Sequence, residues 1–142
     1  MKKQIQMEWK GGVAFEGTSS FGDTIRTDGV RAVGGEERGA TASELILFAV
    51  AGCTGVDVVR ILEKARQPLE RLTIRVEAEQ NEEYPKPFHT VRVHYIAHGK
   101  GLSEKRLAKA IALSEEKYCV VSQTVQNPAK VTTSYEIVDD TD

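Results

Sequence analysis

The stretch AGCTGVDVVRIL, residues 51 to 62, places Cys53 among small residues, Gly52, Thr54 and Gly55, inside one of the most apolar parts of the chain. The other cysteine, Cys119, lies in EKYCVVSQTV toward the C-terminus. A cysteine in an apolar helix is ordinarily a small core hydrophobe. Two features point beyond that. Gly52 and Gly55 each weaken a helix by about 1 kcal/mol relative to alanine, a cost that calls for close packing or for access to the sulfur. Cys119 also follows a second helical pattern, from which it could approach the first thiol. Thiol chemistry needs a thiolate, and so a nearby cation or helix N-terminus; the sequence shows no such cation directly. Cys119 taken alone ends an amphipathic face and is equally well read as a packed thiol.

The remaining chemistry-bearing residues are less suggestive. The two cysteines lack zinc-ligand spacing, with no CxxC and no paired histidine motif. His94 and His98 fall on one face of a strand, about 13 Å apart at about 3.3 Å per residue, too far to share an ion, and His89 faces the other way. No metal or cofactor is expected. Glu44 is explained as the N3 residue of a capping box. As a functional carboxylate it would lie about 13.5 Å along the helix from Cys53, out of its reach within one rigid helix, though open to a group from the flexible loop or another subunit. There is no Ser-His-Asp set, Walker loop or GxGxxG, and GGEERG lacks the lysine and hydroxyl that phosphate binding would want.

The elements that must position these residues read as follows. IQMEW and GGVAFEG suggest two strands joined through Lys10-Gly11-Gly12, with a third at DTIRTD. GVRAVGGEERGA reads as an exposed mobile loop. TASE has the capping-box form, Thr41 at N-cap and Glu44 at N3. The helix behind it is apolar on every side from Leu45 to Cys53, as in a helix buried all round. It then turns amphipathic, with Val58, Ile61, Leu62 and Ala65 on one face, until Pro68 stops it. LTIRVEAEQ alternates as a strand with one wet face, NEEYPKPF connects, and HTVRVHYIAHG forms its partner. Ser103 caps a second helix that runs up to Cys119. VVSQTVQ is a short helical segment, and AKVTTSYEIV closes the chain as a strand. The order of elements gives a single α+β domain over residues 1–142.

Composition bounds the function. The 142 residues suffice for one core. A net charge of −2 gives no electrostatic footprint for nucleic acid. No apolar run is expected to reach the roughly 18 to 20 residues of a membrane span, and no apolar segment follows the N-terminal lysines as in a signal peptide. The expected compartment is the cytoplasm, where a cysteine pair is redox-active, metal-linked or simply buried rather than a permanent disulfide.

SELILFAVAGCTGVDVVRIL, the EEYPKPF connection leading into a strand, and a second cysteine after an amphipathic helix together resemble the OsmC/Ohr family of osmotically inducible and organic hydroperoxide resistance proteins. YPKPF is closer to the general OsmC-like branch. The resemblance covers nearly the whole chain and implies an OsmC-like fold: a tightly intertwined homodimer with active sites at the subunit interface. It implies a thiol-dependent peroxidase for organic hydroperoxides in oxidative-stress defence, in which Cys53 attacks the peroxide and becomes a sulfenic acid. Cys119 condenses with it to a disulfide, an external dithiol recycles the pair, and Glu44 matches the family carboxylate. One position departs from the pattern: family peroxidases hold the thiolate with an arginine from the early hairpin, whereas EWKGGVAFEG carries Lys10, which lacks the planar guanidinium fork. The alternative implied is an OsmC-like dimer that binds a small hydrophobic ligand without turnover, and a third keeps both thiols purely structural.

Overall fold

The computed structural model describes residues 1–139. Three short strands, β1 (Glu8–Trp9), β2 (Phe15–Thr18) and β3 (Thr24–Thr27), form an antiparallel meander. The β1–β2 connection turns at Gly11 and Gly12, whose positive φ angles (93° and 54°) are open to glycine at little cost. Residues 29–40 are more organised than their composition suggests. The buried carboxylate of Asp28 accepts hydrogen bonds from the backbone N–H groups of Gly29, Glu36 and Arg38, and the segment contains a 3-10 turn at Arg31–Val33. Those donors hold the Asp28 carboxyl below its ordinary range.

The central helix α1 spans Ala42–Lys64. Its capping box is complete: the Thr41 hydroxyl accepts from the Glu44 N–H, and the Glu44 carboxylate accepts from the Thr41 N–H and hydroxyl. The helix ends earlier than Pro68. Arg66 is left-handed (φ 54°), its N–H donates to the Glu63 carbonyl, and the Gln67 N–H donates to Leu62. This is a Schellman ending built on a non-glycine residue. By length and composition α1 could cross a membrane, a difference from the sequence reading. Asp57 and Arg60 interrupt the apolar run without lowering its average enough. In the fold, its Val58–Leu62 face packs into a core with Ala110, ringed by Ile61, Leu69, Leu72, Tyr95, Leu107 and Ile111.

Strands β4 (Arg71–Gln80) and β5 (Phe88–His98) pair antiparallel, with Leu72, Ile74, Val76 and Ala78 opposite Ala97, Tyr95, Val93 and Val91. This is the face expected from the alternation, and β4 packs against α1. Gly55 eases the close approach of α1 to β4, since a Cβ at that position would meet the Ile74 Cδ1 at a tight 3.2 Å. Helix α2 (Glu104–Leu113), capped by Ser103, passes into a π turn at Ser114–Tyr118. Helix α3 (Val120–Gln126) follows, capped by Cys119 itself.

Two expectations fail within the single chain. AKVTTSYEIV is not a strand: no neighbour in the same chain offers it a ladder, and its side chains are exposed. The first half of α1 is not buried all round either, since Ile46 (44%) and Phe48 (64%) face outward. An apolar helix with one covered face needs cover from elsewhere.

One buried polar chain ties three elements together. The Thr54 hydroxyl on α1 lies 2.7 Å from the Tyr95 hydroxyl of β5 and 2.9 Å from the Ser114 hydroxyl at the start of the π turn. Ser114 in turn donates to the Asp57 carboxylate at 2.9 Å. A buried hydroxyl left without its partner costs about 1–3 kcal/mol. Thr54→Val is therefore expected to lower the unfolding free energy by about 1–3 kcal/mol, measured by urea denaturation, with secondary structure unchanged by circular dichroism. A loss within a few tenths of a kcal/mol would mean that the chain does not brace the fold.

Candidate functional site

The site is assembled from one face of α1 and the turn before α3. Cys53 and Asp57 are four residues apart on α1, one turn, and so share a face. Cys119 arrives from the other side through the π turn, whose five-residue ring closes with the Cys119 N–H donating to the Ser114 carbonyl at 2.7 Å. The Cys53 and Cys119 sulfurs and an Asp57 carboxylate oxygen all lie within 4.8 Å of one another. Both cysteines are free thiols; Cys119 is fully buried and Cys53 half-buried. Gly52, beside Cys53, has open space where a side chain would project.

The electrostatics are less favourable to a thiolate than the geometry is. Burial pushes the Cys53 thiol above its ordinary value, hydrogen bonding and proximity to Cys119 push it further, and the Asp57 charge adds to this, while the Val121 N–H pulls it down. Cys119 receives the Ser122 N–H at 3.3 Å. Among the described residues, no cation figures in what sets the Cys53 thiol. Arg26 is bound to Glu16, Arg38 to Glu36 and Asp28, and Lys10 to Glu8 at 3.8 Å. Tyr95, at the far end of the hydroxyl chain, is also pushed up, chiefly by burial.

Of the three residues singled out from the sequence, the structure brings two together. Cys53 and Cys119 meet; Glu44 sits at the helix start, its carboxyl held below its ordinary range by the Thr41 hydroxyl and N–H. It also edges a shallow cavity of about 210 Å³ with Leu47, Phe48, Ala51, Ile74 and Val76. Asp57, Ser114 and Tyr95 were missed. The spacing of Cys53 and Asp57 on one helix face was a usable signal, whereas the Ser114 and Tyr95 contacts depend on tertiary structure. The three histidines are exposed; His98 rests against Arg71, and His89 against Thr90.

A family model described as OsmC-like protein matches residues 34–134, which include the central helix, both cysteines and the intervening sheet. The chain is 34% identical over 135 residues to Protein YhfA of Escherichia coli strain K12, covering 95% of this chain and 98% of that protein. The crystal structure of a hypothetical protein from Aquifex aeolicus VF5 is similar with a TM-score of 0.77 at 33% identity, covering 89% of this chain and 88% of that one. An organic hydroperoxide resistance protein OsmC from Legionella pneumophila, described as a predicted redox protein, shares the fold with a TM-score of 0.61 at 19% identity, over 88% of this chain and 90% of that one. With a family match across most of its length and a full-length relative at that identity, the chain belongs to the OsmC-like protein family.

Proposed function

We propose that the protein is a thiol-dependent peroxidase for organic hydroperoxides. The observation that carries this reading is the approach of a half-buried thiol and a fully buried one within 4.8 Å, from separate elements. The division of exposure fits the two roles. The Cys53 thiolate attacks the terminal oxygen of the hydroperoxide, the O–O bond breaks, and the departing alkoxide takes up a proton to leave as the alcohol. Cys53 is then a sulfenic acid. The Cys119 sulfur attacks the Cys53 sulfur, hydroxide leaves and is protonated to water, and the thiol pair, having given two electrons to the peroxide, is left as a disulfide. An external dithiol reduces that bond by exchange and is itself oxidised. Family membership and the redox description of the Legionella relative support the same assignment.

Assembly belongs to the same proposal. The outward Phe48 and Val56 of α1 and the exposed Tyr135 and Ile137 of the C-terminal segment are apolar surface that a second copy would cover. In the family pattern, Glu44 and a cation come together at such an interface. The cation that Cys53 lacks within one chain would then come from a partner subunit. Sedimentation at micromolar concentration should give twice the chain mass of 15.7 kDa. A folded species at the single-chain mass would remove the homodimer from the reading.

The raised Cys53 thiol favours a second reading, an OsmC-like dimer that holds a small hydrophobic ligand without turnover. An open groove of about 310 Å³ lined by Ile5, Met7, Ile25 and Leu45, among others, is the apolar surface available for it. Mass spectrometry after a stoichiometric pulse of organic hydroperoxide separates the two. In the wild type a Cys53–Cys119 disulfide should form; in Cys119→Ser the Cys53 sulfenic acid should accumulate and over-oxidise; in Cys53→Ser neither product should appear. Both thiols remaining free in the wild type would favour the ligand-binding reading.

The pH dependence of Cys53 labelling carries the sign of its surroundings. With the thiol pushed up, the thiolate fraction is small at neutral pH, and the alkylation rate should still be climbing above pH 9. Asp57→Asn removes one negative charge that disfavours the thiolate, so the profile should move to lower pH and labelling at pH 7 should rise about two- to fivefold. A wild-type profile already level by pH 7 would show that a cation outside the single chain acts on Cys53.

A further inference from the structure

The cluster of Cys53, Asp57 and Cys119 has a property that peroxide chemistry does not use. We propose that the reduced protein binds one Zn²⁺ between the two sulfurs and the Asp57 carboxylate, with the fourth position left to water or an external ligand. Zinc takes sulfur at about 2.3 Å and carboxylate oxygen at about 2.0–2.2 Å, so tetrahedral ligand atoms lie roughly 3.5–3.8 Å apart. The three ligand atoms here are already within 4.8 Å of one another. A contraction of about 1 Å closes the set around such an ion, a distance that small side-chain rotations can supply.

The surroundings are those of a supported metal site. The Asp57 Oδ2 accepts the Ser114 hydroxyl, while its Oδ1 has no hydrogen bond among the described residues and is available to a metal. Ser114 is held in turn by Thr54, and Thr54 by Tyr95. Such outer hydrogen bonds orient a ligating carboxylate and are worth as much attention as the ligands. Each sulfur has a backbone N–H directed at it from the start of α3, Val121 for Cys53 and Ser122 for Cys119, which helps to hold both sulfurs in place. Among the described residues, no lysine or arginine forms an ion pair with Asp57. A dication would offset the concentrated negative charge of two thiolates and a carboxylate.

The donor set also selects the metal. Two soft sulfurs disfavour Mg²⁺ and Ca²⁺, which want oxygen, and the carboxylate is a poor partner for Cu(I). Zinc accepts both donor types in a four-coordinate site, and three protein ligands leave an open position. Metal occupancy and a Cys53–Cys119 disulfide exclude each other, because both use the same sulfur lone pairs. Zinc binding requires only reduced thiols and therefore stands apart from hydroperoxide turnover.

The test uses the full chain, reduced and stripped of metal by a chelator, in the absence of peroxide, with Co²⁺ as the probe. One Co²⁺ per chain should bind with the intense visible bands of a four-coordinate ion and a thiolate-to-cobalt charge-transfer band, and Zn²⁺ should displace it. Cys53→Ser should lose at least half of the charge-transfer intensity. Asp57→Asn should keep the charge-transfer band while its affinity falls at least about tenfold. Wild-type protein alkylated at Cys53 provides a control that involves no refolding, and it too should lose the cobalt spectrum. Absence of the spectrum in the reduced wild type overturns the proposal. So does an unchanged spectrum after alkylation, or an unchanged affinity in Asp57→Asn with its fold intact by circular dichroism. Failure of hydroperoxide turnover in the metal-free protein would bear on the peroxidase reading alone.

Discussion

The structure turns on a single hydroxyl. Thr54 stands one residue from Cys53 on a helix whose other buried side chains are aliphatic or the partly buried cysteine, and it bonds at once to the sheet through Tyr95 and to the π turn through Ser114. Because Ser114 also closes the π turn with its carbonyl and fixes Asp57 with its hydroxyl, the position of Cys119 and the orientation of the carboxylate depend on the same few bonds. Buried polar chains of this kind specify one arrangement when every member is satisfied, and among the described residues no buried side-chain polar atom lacks a partner. Apolar packing of Val58 and Leu62 supplies cohesion, but it would tolerate a slide of α1 that the hydroxyl chain does not.

That dependence gives the site its mixed character. Bringing two thiols and a carboxylate together from different elements is favourable for disulfide formation and for metal binding, and unfavourable for ionising Cys53. The geometry and the electrostatics therefore point in different directions within one chain. What reconciles them is positive charge, from a partner subunit in the peroxidase reading or from the metal in the other. Arg26 and Arg38, near the N-terminal strands, are already engaged by Glu16, Glu36 and Asp28.

Local patterns carried most of the fold. The Thr41–Glu44 capping box, the alternation of β4 and β5 and the Lys10-Gly11-Gly12 turn are interactions between near neighbours in sequence, and each was readable as such. The helix end was not, because Arg66 takes the left-handed conformation that glycine ordinarily marks. Nor was the order in residues 29–40, which depends on one buried aspartate gathering three N–H groups across the loop. The C-terminal segment had the composition of a strand, and a strand is defined by a neighbour that composition cannot supply. At the site, the cysteines stood out by residue type, whereas Asp57 looked like one more charge on the polar side of an amphipathic helix. A search for ligands close together in sequence overlooks a site whose third member arrives from another helix.

The π turn at Ser114–Tyr118 has a consequence for how such a site can be gained or lost. A π turn holds one residue more per hydrogen-bonded ring than an α-helix, and so it is equivalent to a single-residue insertion within a helix. Were the same residues to wind as an ordinary α-helix, each ring would close one residue sooner, and the following position would swing by most of the roughly 100° step of one residue around the axis. The thiol at 119 would then face away from Cys53 with no side chain altered. Pairing of the two sulfurs is thus encoded partly in the backbone hydrogen bonding of the turn, and a change there, as much as a change of cysteine, could separate the two thiols.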